Sequence, residues 1–275
     1  MKPKKHLGQN FLINKNIVYK IANSVNIKDE VVLEIGPGRG ALSLALIENA
    51  KQVYAFEVDE ALKKYLNPLE ESNNNFKVIY DDVLNIDFNE FSKEINEDKL
   101  ILMANIPYYI TGPLLNKIKD TKNIKKAVIM MQKEVAERLT ATTNNKSYGN
   151  LTVTFNLHFQ IQKIVNVKRT NFYPAPKVDS VVLKFVRTEK YQNKVNNQTN
   201  FYEFVNAAFK MKRKTLVNNL SNYYKITKEE TIRKLKEIEP AFETLERAEN
   251  ITLKRFISFS NGWYKWLKKH TLKST

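Results

Sequence analysis

The chain has 275 residues, enough for one large domain or two smaller ones, and its formal net charge of +16 favours a polyanionic partner, nucleic acid or an anionic membrane surface. Cysteine is absent and the three histidines, His6, His158 and His270, are far apart in sequence, so disulfides and thiolate catalysis are excluded and no metal site is expected. No apolar run reaches the roughly 18 residues of a membrane span and no signal-peptide pattern precedes the first motif, so a soluble, cytoplasmic, monomeric protein with no membrane partner is expected.

In chain order, apolar runs at 31–35, 53–56, 76–80, 100–104 and 127–131 read as buried strands. Helical stretches near 40–48, 59–69, 88–95, 111–119 and 133–141 follow them in turn. The alternation predicts an α/β fold built on a parallel, doubly wound sheet. Two further strands, at 151–160 and 178–186, have no helix of normal length between them and are expected to pair antiparallel at an edge. The polar stretch 187–199 reads as a linker. Helices at 201–209, 214–220, 228–238 and 253–267 then suggest a small helical domain. The expected domains are therefore 1–186 and 199–275. Residues 205–228 and 251–275 each carry six basic residues and no acid. A solvated face and an RNA contact are both open readings of these runs.

Three of the seven glycines fall within Gly36-Pro37-Gly38-Arg39-Gly40, directly after the first strand. Glycine lets the backbone bend tightly and lets a ligand approach it, and the helix that follows would aim free N–H groups at that ligand. Glu57 follows the next strand about 20 residues on, where a carboxylate holds ribose hydroxyls. Asp82, placed at the end of the third strand, suits an adenine amine. Gly36 and Gly38 fit a nicotinamide cofactor and S-adenosylmethionine equally.

The loop Asn105-Ile106-Pro107-Tyr108 decides between them, because hydride transfer has no use for an amine clamp. The Asn105 side-chain oxygen and the Pro107 carbonyl would accept the two protons of an adenine amine, favouring a pyramidal nitrogen with its lone pair freed. Tyr108 would stack on one face of the base and Phe172 on the other. A turn role for Asn105 and core packing for Tyr108 or Phe172 are the bland alternatives.

The segments His6 to Leu12, Leu33 to Gly38, Asn105 to Tyr108, Met131 to Leu139, Phe172 to Ser180, Lys212 to Leu220 and Arg247 to Ile251 follow one another along nearly the whole chain. Together they resemble the ribosomal RNA adenine dimethyltransferases. The resemblance implies a Rossmann-like class I methyltransferase domain followed by a small all-helical C-terminal domain. It implies S-adenosylmethionine as methyl donor and two transfers to each of two adjacent adenosines near the 3′ end of 16S ribosomal RNA, within the small ribosomal subunit. Asn10 and Leu12 match positions that close over the cofactor. Gly36, Glu57, Asp82 and Asn105 match its other binding positions. Lys212, Arg213 and Lys214 are the expected RNA contacts. Two alternatives remain: a 23S ribosomal RNA methyltransferase of the antibiotic-resistance branch, and a non-catalytic RNA-binding factor. The tail segments favour the small-subunit enzymes, and the intact clamp and glycine loop disfavour a pure binder.

Overall fold

The structure, a computed structural model, describes residues 3–4, 7–106 and 108–271, except for the side chains of Tyr108 and residues 268–271. The chain forms two compact units, one made of residues up to 136 with 160–187, the other of 137–159 with 188 onward.

The first unit opens with β1 (Phe11–Leu12) and α1 (Lys15–Ala22) and then alternates strand and helix. These are β2 (Val31–Ile35), α2 (Ala41–Ile47), β3 (Gln52–Phe56), α3 (Lys63–Ser72), β4 (Phe76–Ile79), α4 (Phe88–Glu94), β5 (Leu100–Asn105), α5 (Thr111–Asp120) and β6 (Ile124–Gln132). After α6 (Lys133–Thr140) and α7 (Asn150–His158) come β7 (Phe159–Val167), β8 (Phe172–Tyr173) and β9 (Ser180–Arg187). Seven strands form one sheet in the order β4-β3-β2-β5-β6-β9-β7. The five strands β4 to β6 run parallel and β9 joins β6 antiparallel. All five residues of β2 are buried, as a strand covered by helices on both faces requires. A separate two-stranded ladder pairs β1 with β8, placing Phe11 opposite Tyr173 and Leu12 opposite Phe172.

The expected strand at 151–160 is instead α7, and the strand begins only at Phe159. Helix α7 buries Thr152, Val153, Thr154, Phe155, Leu157 and His158, so its sequence shows no one-sided helical stripe. Its threonines also satisfy themselves within the helix environment: the Thr154 hydroxyl donates to the Asn150 carbonyl at 2.8 Å and the Thr152 hydroxyl to the Arg138 carbonyl at 2.5 Å.

The second unit adds α8 (Gln198–Ala208), α9 (Leu216–Tyr224), α10 (Lys228–Ile238) and α11 (Leu253–Thr271). Asn197, Thr215 and Thr227 cap the first three by accepting from backbone N–H groups of their first turns. Tyr148, Val153 and Leu157 pack in one core with Phe201, Phe204 and Trp263. This packing moves 137–159 out of the expected first domain and into the helical unit. The expected linker is folded too: Asn196 N–H donates to Asn261 Oδ1 at 3.0 Å and Asn261 Nδ2 donates to the Lys194 carbonyl at 2.8 Å. Among the described residues no helix is long and apolar enough to cross a membrane.

Gly262, inside α11, lies against α10. In an ordinary helix interior Gly→Ala stabilises by about 0.5–1 kcal/mol. Here a Cβ would stand 2.6 Å from Ile238 Cγ1 and 2.8 Å from its Cδ1, and overpacking costs about 1–3 kcal/mol. Gly262→Ala is therefore expected to destabilise the protein by about 1–2 kcal/mol in urea unfolding. Adding Ile238→Ala removes the clash, so the two losses should sum to less than their separate values.

Candidate active site

Parallel register builds the site. Ile35 of β2 lies opposite both Phe56 of β3 and Ala104 of β5. The next residues, Gly36 and Glu57, therefore leave the sheet beside Asn105, the last residue of β5, at its C-terminal edge, where ligands of open α/β sheets bind. Gly36 N–H donates to the Phe56 carbonyl and Glu57 N–H to the Ile79 carbonyl, both at 3.0 Å.

Gly36, Gly38 and Gly40 have φ of +70°, +60° and +80°, a region that side chains disfavour. At Gly36 a Cβ would also press to 3.2 Å from the Asn105 carbonyl oxygen. The loop thus bends tightly and brings bare backbone against the end of β5. Glu57 is 6 % exposed. Its Oε2 accepts from Gly38 N–H at 3.2 Å and its Oε1 from Asp59 N–H at 2.9 Å. Burial pushes its pKa up, partly offset by those backbone donors.

A cavity of about 300 Å³ opens above this edge, lined by Asn10, Leu12, Gly36, Gly38, Glu57, Asp82, Asn105 and Phe172 among others. The structure thus gathers every expected cofactor residue around one space. Asp82 differs in detail: β4 ends at Ile79, and Asp82 sits three residues later in a half-buried turn where Oδ1 accepts from Leu84 N–H at 2.9 Å. Asn105 is half-buried, and no hydrogen bond from another described residue reaches its carboxamide. Pro107 lies outside the described residues, as does the side chain of Tyr108. Phe172 is only 5 % exposed and belongs to the core, yet it forms part of the cavity wall.

Phe11 was not singled out by residue type, but it matters. A Cβ at Gly38 would meet its ring at 3.1 Å, and the Arg39 guanidinium sits 4.5 Å from its centroid. The only sequence signal was its neighbourhood in the motif around Asn10.

In the second unit Lys212, Arg213 and Lys214 are exposed in a turn. Lys214 precedes α9 rather than opening it, because Thr215 takes the cap position. Buried Asn219 ties that turn down, accepting from Met211 N–H at 2.9 Å and donating to the Met211 carbonyl at 3.1 Å.

A mixed seven-stranded sheet, a glycine turn after β2 and a carboxylate after β3 define a class I methyltransferase. The family model described as ribosomal RNA adenine dimethylase matches residues 1–257, and the chain belongs to that family. A ribosomal RNA small subunit methyltransferase A from Onion yellows phytoplasma is 44 % identical, over 95 % of this chain and 96 % of its own. One from Mycoplasma mobile is 42 % identical, over 87 % of this chain and 91 % of its own. A crystal structure of a dimethyladenosine transferase from Plasmodium falciparum superposes with a TM-score of 0.79 at 29 % identity, covering 93 % of this chain and 98 % of that one. A 23S rRNA methyltransferase, ErmE, reaches a TM-score of 0.72 over 92 % of this chain and 99 % of its own, but at 22 % identity the likeness is one of fold alone.

Glu34 lies in β2 below the loop, 1 % exposed, and neither carboxylate oxygen has a hydrogen-bond partner. Burial pushes its pKa from 4.5 to about 8; the nearby Ser43 hydroxyl lowers it and the Glu57 charge raises it. Between these values the folded state holds a proton that the unfolded chain has released. Stability should thus fall as pH rises from about 5 to about 8. Glu34→Gln should flatten that fall in thermal melts taken across the range; parallel curves for both proteins would show that Glu34 does not titrate there.

Proposed function

We propose that this chain transfers methyl groups from S-adenosylmethionine to the exocyclic amines of two adjacent adenosines near the 3′ end of 16S ribosomal RNA, dimethylating each within a small-subunit precursor. One observation carries the reading: Asn105 leaves the sheet beside Gly36 and Glu57, on one cavity, so a methyl donor and a purine amine share a wall. The small-subunit names of the relatives support the choice of RNA. The large-subunit alternative has fold likeness only.

The residues present fit an adenosine-bearing cofactor. Gly36 puts bare backbone in the cavity wall, too close to the Asn105 carbonyl for a side chain. Each Glu57 oxygen takes one backbone N–H and keeps acceptor capacity for ribose hydroxyls. Asp82 would accept from the adenine amine, and Asn10 and Leu12 would cover the opposite side. When bound, S-adenosylmethionine supplies an activated, electrophilic methyl group. Asn105 Oδ1 would accept one proton of the target amine while a neighbouring carbonyl, that of Pro107, accepts the other. This holds the lone pair in line, and alignment supplies much of the rate. No strong base is needed early, because the amine proton becomes acidic only as the N–C bond forms. Tyr108 and Phe172 would hold the flipped base between them, compensating for lost stacking.

The accompanying reading places methyl transfer in the first unit and RNA holding in the second, through Lys212, Arg213 and Lys214, in a monomer working in the cytoplasm.

The test is transfer of radiolabelled methyl from S-adenosylmethionine to purified immature small subunits and, separately, to large-subunit RNA. Label confined to the large-subunit RNA would overturn the proposal. Asn105→Ala should abolish transfer and leave RNA binding within about twofold, since the clamp acts on one base and phosphate contacts dominate affinity. Replacing Lys212, Arg213 and Lys214 together by Gln should lower the salt slope of RNA binding by about 2. An unchanged slope would return these residues to a solvated face.

A further inference from the structure

Residues 7–13 line one side of the cavity as a strap with little regular structure of its own. Its far end is well held. There β1 pairs with β8, Ile13 N–H donates to the Asn171 carbonyl at 2.9 Å, and Asn14 Nδ2 donates to Asn171 Oδ1 at 2.8 Å. In its middle, Arg39 sits over Phe11. The near end is held differently, by a side chain from another part of the sheet.

Asp59, two residues beyond Glu57, is 2 % exposed. Its Oδ1 accepts from Lys4 Nζ and its Oδ2 from Gln9 Nε2, both at 2.6 Å. Lys4 N–H donates to Gln9 Oε1 at 2.8 Å, closing a ring of hydrogen bonds. Asp59 Oδ1 also accepts from Ala61 N–H at 3.0 Å, capping the short helical turn at Glu60–Leu62. Capping needs one oxygen. The second is committed wholly to Gln9, and the charge of the carboxylate to Lys4. Burial alone would raise the Asp59 pKa, yet the bonds from Lys4 and Gln9 bring it below the ordinary value, so the bonds are charge-assisted at neutral pH.

We infer that Asp59 is a positioning residue for the methyl donor: by anchoring Lys4 and Gln9 it holds Asn10 and Leu12 across the cofactor cavity. Asp59 does not line the cavity; its backbone N–H reaches Glu57, and its side chain acts through the strap. The inference rests on the proposed donor site. It separates donor affinity from turnover: once the donor saturates the cavity, the strap is held by the donor as well, and the clamp at Asn105 is untouched.

Asp59→Asn is the informative substitution, because Asn caps a helical turn as well as Asp does while losing the charge and setting an N–H₂ group against Gln9 Nε2. Lys4→Met, outside the cavity, removes the other partner and keeps the apolar stem. The measurement is calorimetric binding of S-adenosylhomocysteine to the full chain, with turnover on immature small subunits at saturating donor. Asp59→Asn should weaken binding about tenfold, the loss of charge-assisted bonds, with turnover within about twofold of wild type. Lys4→Met should weaken it about threefold, and the double variant should bind no more weakly than Asp59→Asn alone. Wild-type affinity in Asp59→Asn overturns the inference, as does wild-type affinity in Lys4→Met if Asp59→Asn fails to fold. Turnover lost in step with affinity at saturating donor also overturns it. Failure of the unsubstituted protein to bind S-adenosylhomocysteine would instead sink the donor site on which it rests.

Discussion

Three parallel strands held in register are the constraint on which the site depends. Ile35, Phe56 and Ala104 are aligned across β3, β2 and β5 by backbone hydrogen bonds. A slip of one residue in either pairing would turn each following residue to the opposite face. The glycine turn, the carboxylate and the carboxamide would then no longer meet. Burial makes the register rigid, because β2 and most of β5 are covered on both faces. The chemistry at the edge is thus specified by residues that take no part in it.

The charges divide the work. The chain as a whole is strongly basic, but the charged residues lining the cavity are Glu57, Asp81 and Asp82 against Arg39. A cavity of this sign suits a cationic sulfonium donor and repels phosphate. Meanwhile the exposed turn of Lys212, Arg213 and Lys214 presents the opposite sign to a polyanion. One protein can hold two oppositely charged molecules because these fields belong to different surfaces.

The five parallel strands were legible because strands buried on both faces read as unbroken apolar runs. Gly36, Glu57 and Asn105 were legible for the same reason, each standing where such a run ends. Helix α7 was not: it is buried nearly all round, and its β-branched residues mimic strand alternation. That the polar stretch 187–199 is tied to Asn261 of α11 was not legible, because composition does not tell which polar groups find a distant partner. Asp59 stood at the head of an expected helical stretch, and it does cap a short helical turn. Nothing in the sequence tells that its second oxygen holds Gln9, because that contact spans 50 residues and follows no period.

Between residues 136 and 188 the chain passes from one unit to the other three times. The helical unit is therefore not an appendage that a single fusion event adds or a single cut removes. Cutting after Arg187 would leave Tyr148, Val153 and Leu157 stripped of Phe204 and Trp263, an apolar face open to aggregation. On the translating ribosome the same arithmetic sets an order of assembly. The sheet has all its strands once Arg187 has emerged, whereas residues 137–159 must wait for Trp263, more than 100 residues later, before their own core can close.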